Sequence, residues 1–245
     1  AAMKQQLFKI AENRPLAPKV FCMRLLGDTA PIAAPGQFVN LKIKGFYLRR
    51  PISISNWDDR SLTVIYKTVG AGTEKLSHAL PGESLDVLFA LGNGFNPAPA
   101  GERPVLVGGG VGAPPLFGLC RALLRQGAAP QVVLGFNTAS EVFLEKEFLA
   151  LGVPVTVTTA DGSYGQKGFV TAALQNLSYT YLYACGPLPM LKAVSEQAST
   201  PGQLSFEARM GCGFGACRGC TVQTKNGPKR ICLEGPVLTK EEVLW

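Results

Sequence analysis

The chain has 245 residues, 47% of them hydrophobic and 17% charged, enough apolar text to bury a sizeable core and too much for a disordered protein. Its formal charge of +7 comes from scattered Lys and Arg without basic runs or aromatic interleaving, which argues against nucleic acid as a partner. No apolar run of about 18 residues offers a membrane span, and the N-terminus lacks the charged and apolar segments of a signal peptide, so the expected compartment is the cytoplasm.

Ala1 and Ala2 precede Met3 and are set aside. From Leu7 to about Leu91 the text is strand-like, with short apolar runs such as Phe38–Ile43 and Leu62–Tyr66 broken by Pro and Gly. Pro35-Gly36 and Pro81-Gly82 are turn dipeptides just ahead of strands. Several short strands with turns between them predict a small antiparallel barrel. Beyond the Pro/Ala/Gly-rich segment Asn96–Pro104, a strand at Val105–Val107 leads through a glycine run into a helix over Pro114–Arg125. Strands at Gln131–Phe136, Val153–Thr158 and Tyr181–Ala184, with a helix near Glu141–Leu151, continue the alternation. Such alternation predicts a parallel α/β sheet. The last 45 residues are rich in glycine and cysteine with little helix. Three modules follow, residues 3–99, 100–201 and 202–245, with breaks near 97–102 and 199–204.

Seven cysteines are an odd number, and four of them fall within 21 residues, which fits a metal site in a reducing compartment better than a disulfide framework. Cys212-x4-Cys217-x2-Cys220 has the spacing of plant-type [2Fe-2S] ferredoxins and is completed by Cys232 after eleven residues. The chemistry needs four thiolates converging on two irons from one loop, with amides turned inward. Gly211, Gly213, Gly215 and Gly219 supply the tight backbone for that wrap. A structural zinc site also takes four cysteines, but usually from two C-x2-C hairpins, and only one such pair exists here. Cys22, Cys120 and Cys185 lie far apart and read as buried small hydrophobes.

The run Gly108-Gly109-Gly110-Val111-Gly112-Ala113 joins a strand to a helix, where amides and the helix start favour a pyrophosphate. It departs from strict G-x-G-x-x-G spacing, and no acidic residue ends the next strand, since Asn137 follows Phe136. A tight packing turn is the alternative reading. Cys185-Gly186-Pro187 forms a second loop at the same edge of the sheet, the edge where such folds bind ligands. In the barrel half, Arg49-Arg50-Pro51-Ile52-Ser53 and Gly70-Ala71-Gly72-Thr73 carry the groups that neutralise and hydrogen-bond a diphosphate. Taken alone, each reads first as a surface arginine and an ordinary turn. Their order ahead of a dinucleotide-type domain raises them.

Together, RRPISI, IYKTVGAGT, VGGGVGAPP, YACGPLPM and MGCGFGACRGC resemble, in order and over nearly the whole chain, the electron-transfer subunits of the two-flavin, NAD-linked dihydroorotate dehydrogenases of bacteria. Those subunits belong to the ferredoxin reductase superfamily. The resemblance implies FAD in the barrel, with Arg50, Pro51, Ile52 and Ser53 at its phosphates and ring, Ile65, Tyr66 and Lys67 along the isoalloxazine, and Gly72 and Thr73 at the diphosphate. It implies that Gly108 to Ala113 and Cys185-Gly186-Pro187 frame NADH, and that Cys212, Cys217, Cys220 and Cys232 hold a [2Fe-2S] cluster. Electrons would then pass between nicotinamide, flavin and cluster to an FMN-containing catalytic subunit in pyrimidine biosynthesis, two copies of each chain forming the assembly. The turn around Phe214, Gly215, Ala216 and Arg218 would face that partner. Cofactor chemistry of this kind needs no nucleophile or strong base, in keeping with a single histidine, His78, expected at a surface or helix end. Reductase subunits serving a hydrogenase, or exchanging electrons between NADPH and ferredoxin, are the alternative of the same kind. A zinc-binding regulatory module is the alternative of another class. RRPISI favours dihydroorotate oxidation.

Overall fold

The computed structural model describes residues 3–245, so Ala1 and Ala2 lie outside the described residues. Six strands, β1 (Lys4–Ala17), β2 (Val20–Leu26), β3 (Phe38–Leu41), β4 (Arg50–Trp57), β5 (Ser61–Lys67) and β6 (Ser84–Leu91), close a barrel in the order β1-β2-β5-β4-β3-β6. Alternation along the strands fills its interior: Phe8, Ile10, Met23, Leu25, Val39, Leu41, Leu62, Val64, Val87 and Phe89 form one buried cluster. A short helix, α1 (Ala71–Ser77), follows β5 where the sequence reading placed a glycine turn, and exposed His78 is its C-cap. The helix starts early because the Thr73 hydroxyl accepts from the amides of Val69 and Gly70, at 2.9 and 3.3 Å, folding the turn onto the first helical residues.

The second half contains β7 (Val105–Gly109), α2 (Ala113–Arg125), β8 (Gln131–Phe136), α3 (Glu145–Ala150), β9 (Val155–Thr159), β10 (Gln166–Lys167), α4 (Val170–Leu174), β11 (Leu182–Cys185), α5 (Leu188–Gln197) and β12 (Gly202–Ser205). These are followed by a hairpin, β13 (Thr221–Thr224) and β14 (Gly227–Arg230), and by β15 (Val237–Thr239). The seven-stranded sheet runs β10-β9-β8-β7-β11-β12-β15, parallel except for the pairing of β12 with β15. Its central strands are apolar throughout because helices cover both faces. Pro114 and Pro115 sit in the first turn of α2, where their missing amide protons cost nothing, and Leu116, Leu119, Cys120 and Leu123 form its buried stripe.

The sheet continues past the boundary expected at 201/202, since β12 begins there and β15 comes from the cysteine-rich tail. The cores merge likewise. Val20, Cys22 and Ile65 of the barrel pack with Leu106 and α2, while Phe38 and Leu91 pack with Val107, Leu204, Cys220, Ile231 and Cys232. Gly118 of α2 sits so close to β4 that a Cβ there would lie 3.0 Å from the Ser55 carbonyl oxygen. Among the described residues no helix is long and apolar enough to cross a membrane.

Candidate functional site

At the C-terminal edge of the sheet, a cavity of about 560 Å³ opens between Gly109, Gly110 and Val111 on one side and Gly186, Pro187 and Met190 on the other. Lys67 from the end of β5 reaches its wall, as do Asn137, Glu141, Thr158 and Phe169. The glycines are dictated by space. A Cβ on Gly112 would lie 2.2 Å from the Cys185 carbonyl oxygen, and one on Gly186 would lie 2.6 Å from Met190 Cε. The two loops expected at this edge therefore touch. Gly108, Gly112, Ala113 and Cys185 stand behind the wall rather than in it. Burial pushes the Cys185 thiol up to about 12, which leaves it an unreactive packing group. Thr158 backs this wall, its buried hydroxyl without a hydrogen-bond partner among the described residues.

The two arginines of the barrel motif have separate duties. Arg49 is bound to Asp86, with Nη2 2.9 Å from Oδ2 and Nη1 3.0 Å from the main-chain oxygen. Arg50 forms no salt bridge among the described residues. Its guanidinium lies 5.1 Å over the Phe46 ring and packs against the start of α1, where a Cβ on Gly72 would fall 2.6 Å from Nε. Two motifs over twenty residues apart in sequence thus meet at one spot. Arg50, Pro51, Ile52 and Ser53 are all half-buried, and Ile65 and Lys67 turn toward the α/β half. Tyr66 does not join them. Its ring lies in the barrel core, stacked 5.8 Å from Phe21, and its hydroxyl donates to Asn13 Oδ1 at 2.9 Å. Strand alternation explains the split, since neighbouring residues point to opposite faces. Thr73 is also taken up locally, its hydroxyl donating to the Gly70 carbonyl at 3.0 Å.

The cysteines are held as two pairs. The Cys217 amide donates to Cys212 Sγ and the Cys232 amide to Cys220 Sγ, each at 3.4 Å. Cys220 and Cys232 are buried, whereas Cys212 is half-buried and Cys217 exposed. Burial works against ionisation of Cys212, but hydrogen bonds from the amides of Cys217, Phe214 and Ala216 outweigh it and bring the thiol to about 6. Burial instead pushes Cys232 up to about 12. Gly213 and Gly215 take φ of +79° and +93°, the left-handed turns that let the loop wrap. Arg230 braces the wrap by donating to the Gly215 carbonyl at 2.8 Å. Phe214, Ala216 and Arg218 are exposed, while Gly215 is buried.

Residues 207–244 match the family described as the iron-sulfur cluster binding domain of dihydroorotate dehydrogenase B, and residues 106–196 match the oxidoreductase NAD-binding domain. The dihydroorotate dehydrogenase B (NAD(+)) electron transfer subunit of Geobacillus sp. (strain WCH70) is 42% identical, covering 99% of each chain. The chain belongs to that family. The corresponding subunit of Fusobacterium nucleatum is 38% identical over 98% of this chain and 99% of its own. Among solved structures, that of the NADH-dependent reduced ferredoxin-NADP oxidoreductase superposes with a TM-score of 0.88 at 29% identity, covering 98% of this chain and 90% of that one. A ferredoxin NADP+ reductase from Neisseria gonorrhoeae shares the fold, with a TM-score of 0.67 at 19% identity over 79% of this chain and 90% of its own.

The residues present fit the groups that membership in the dihydroorotate dehydrogenase B electron transfer family implies. Two irons, each taking two thiolates, suit a two-by-two cysteine arrangement. An arginine without a carboxylate partner, pressed against a glycine, suits a flavin phosphate. Three features escaped the sequence reading. Asn40, 1% exposed, joins β3 to the cysteine loop by donating from Nδ2 to the Cys212 carbonyl at 3.1 Å. Glu207 lines the nucleotide cavity, open to solvent at one end, while desolvation by the surrounding protein raises its carboxyl above the usual range. Glu141 brings a carboxylate to the cavity wall beyond the end of β8, where no acidic residue follows directly in sequence. Asn137 folds it back, donating to Glu141 Oε2 from its amide at 3.2 Å and from Nδ2 at 2.9 Å. The signal was a short-range Asn-x3-Glu pair, visible once the strand end is known.

Proposed function

We propose that this chain is the electron transfer subunit of an NAD-linked dihydroorotate dehydrogenase, carrying electrons between NAD(H) and an FMN-containing catalytic subunit in pyrimidine biosynthesis. The observation that supports it most directly is continuity. Lys67, on the strand after the flavin motif, lines the nucleotide cavity, and Cys220 and Cys232 share one apolar core with Phe38 of the barrel and Val107 of the sheet. When bound, FAD would supply hydride exchange with nicotinamide and single-electron exchange with a [2Fe-2S] cluster, joining a two-electron donor to a one-electron path.

The chain's own residues hold and orient. Arg50 and the turn at Gly72 would neutralise the flavin diphosphate, with Pro51, Ile52, Ser53, Ile65 and Lys67 along the ring, Tyr66 contributing only its backbone. Gly109, Gly110, Val111, Gly186 and Pro187 would place the nicotinamide dinucleotide, backed by Gly108, Gly112, Ala113 and Cys185. Glu141 would accept from the adenosine ribose hydroxyls and repel a 2′-phosphate, favouring NADH over NADPH. Cys212 and Cys217 would hold one iron and Cys220 and Cys232 the other, with the exposed turn at Phe214, Ala216 and Arg218 toward the partner. The working assembly would be two copies of each chain, in the cytoplasm.

Protein purified without air should contain one FAD, two irons and two acid-labile sulfides per chain, and NADH should bleach the flavin. With the catalytic subunit added, dihydroorotate should reduce NAD+. Zinc in place of iron, or absence of flavin, would overturn the assignment.

A further inference from the structure

We infer that Asn40 is the positioning residue that sets the cysteine loop against the flavin strand and thereby governs electron transfer between the two centres. The inference rests on the flavin and cluster assignment above. Val39 and Leu41 lie in the barrel core, so strand alternation turns Phe38 and Asn40 outward. In register, Asn40 stands opposite Pro51 and Phe38 opposite Ser53, which puts Asn40 on the face shared with the motif expected to carry the flavin ring. From there Nδ2 donates to the carbonyl of Cys212, the first cluster cysteine, at 3.1 Å. The loop closes onto that amide without slack: a Cβ on Gly213 would lie 2.3 Å from Nδ2. One asparagine side chain therefore spans the gap between the flavin strand and the cluster loop.

The amide's orientation is determined, because flipping it would set Oδ1 against the Cys212 carbonyl, acceptor against acceptor. Oδ1 is consequently left buried with no hydrogen-bond partner among the described residues. A buried acceptor left without a donor costs free energy, so the Nδ2 bond to Cys212 and the packing around the amide hold this pose against that cost. Asn93 makes the contrast clear. It clamps the same lobe onto the barrel with every group used, Nδ2 donating to Glu234 and Val237 carbonyls at 2.9 and 2.7 Å and Oδ1 accepting from the Val237 amide at 3.1 Å. Holding the lobe in place is thus already served by Asn93. Asn40, rooted on the strand that pairs with the flavin motif and bonded to the cluster loop, has the form of a spacer between redox centres.

The test uses the holo-subunit with FAD and cluster bound, comparing wild type with Asn40→Leu, Asn40→Gln and Asn93→Leu. Asn40→Leu should keep its iron and sulfide, and NADH should bleach its flavin at the wild-type rate. Reduction of the cluster from the flavin should slow severalfold, since electron tunnelling weakens steeply as the gap between centres widens, and the cluster's electron paramagnetic resonance lines should move. Asn40→Gln, which keeps both polar groups, should recover part of the rate. If Asn40→Leu sheds its cluster, Asn40→Ser carries the same rate and resonance measurements. Unchanged cluster reduction and unchanged resonance lines overturn the inference. So does an equal slowing in Asn93→Leu at an equal loss of melting temperature, which would make the effect one of lobe packing. A wild type without flavin sinks the functional assignment along with it, whereas a working wild type with an unaffected Asn40→Leu sinks only this inference.

Discussion

The nucleotide cavity and the seam between barrel and cysteine loop are built by opposite means. Around the cavity, shape comes from atoms that are missing: Gly109, Gly112 and Gly186 each sit where a Cβ would meet another atom at 2.2–2.6 Å. Along the seam, shape comes from polar side chains that bind backbone across it, Asn40 on Cys212 and Asn93 on Glu234 and Val237, with Arg230 bracing the cysteine loop from within and Arg50 lying over Phe46 on the barrel side. Each region is therefore fragile to the opposite change. Adding an atom should damage the first, and removing one should damage the second.

The largest expected effect is therefore an addition. Gly112→Val would drive a Cβ to within 2.2 Å of the Cys185 carbonyl oxygen, backbone against backbone, where no rotamer can relieve it. Overpacking of that severity costs about 3 kcal/mol or more, or roughly 6–12 °C in melting temperature for a chain of this size. Flavin bleaching by NADH should be nearly lost while FAD content stays close to wild type. Intact bleaching would show that the two loops at the sheet edge can part, and the contrast between the regions would weaken.

A removal should come next. Arg50→Ala deletes the guanidinium that lies against Gly72 with no carboxylate to occupy it. Loss of a charge-assisted contact should weaken FAD binding by about 1.5–3 kcal/mol, with little change in the stability of the apo-protein. Fluorescence titration of apo-protein with FAD measures this directly, and equal affinity in the variant would take Arg50 out of the flavin site.

How much of this was legible beforehand follows the same division. The glycine run, the Cys-Gly-Pro loop and the cysteine spacing were readable because each is a contiguous stretch whose chemistry is local. Asn40 was not, since its partner lies 172 positions away and nothing in Phe38-Val39-Asn40-Leu41 marks one outward side chain as a bridge. Tyr66 was assigned to the flavin with its neighbours, but strand alternation sends it to the barrel core and leaves Ile65 and Lys67 on the other face. The continuation of the sheet into β12 and β15 was likewise hidden, because a strand of three or four residues gains its identity from the neighbour it pairs with.

Glu141 tests the cavity by removal and should give a smaller effect than Arg50. Asn137 already holds one carboxylate oxygen, so Glu141→Gln keeps the fold of the turn and deletes only the charge. Affinity for ADP-ribose should fall a fewfold and that for its 2′-phosphorylated form should rise, a change of about 1 kcal/mol in the preference, of the size one hydrogen bond contributes net. Calorimetric titration of both compounds reads the preference without any electron transfer. An unaltered ratio would place nucleotide discrimination elsewhere in the cavity.

The smallest effect is expected at Asp86, and it separates the two adjacent arginines. Burial pushes the Asp86 carboxyl up, but hydrogen bonds from Arg49 and Gln5 and the nearby charge of Arg49 outweigh it and hold the group below its ordinary value. A carboxylate whose folded value is depressed contributes stability that is fully present above its unfolded value of 3.8 and is lost as pH falls through the folded one. Both side chains of the pair remain about one-fifth exposed, so solvent screening keeps the contribution near 0.5–1 kcal/mol. Asp86→Asn should then melt roughly 1–4 °C below wild type at neutral pH, with the gap closing below about pH 4 as the wild-type carboxylate takes up its proton. FAD affinity should not change, because Arg49 would still donate to the Asp86 main-chain oxygen while Arg50 stays over Phe46. A loss of flavin in Asp86→Asn comparable to that in Arg50→Ala would mean that the two arginines act together, and the assignment of one to the barrel frame and the other to the phosphate would have to be abandoned.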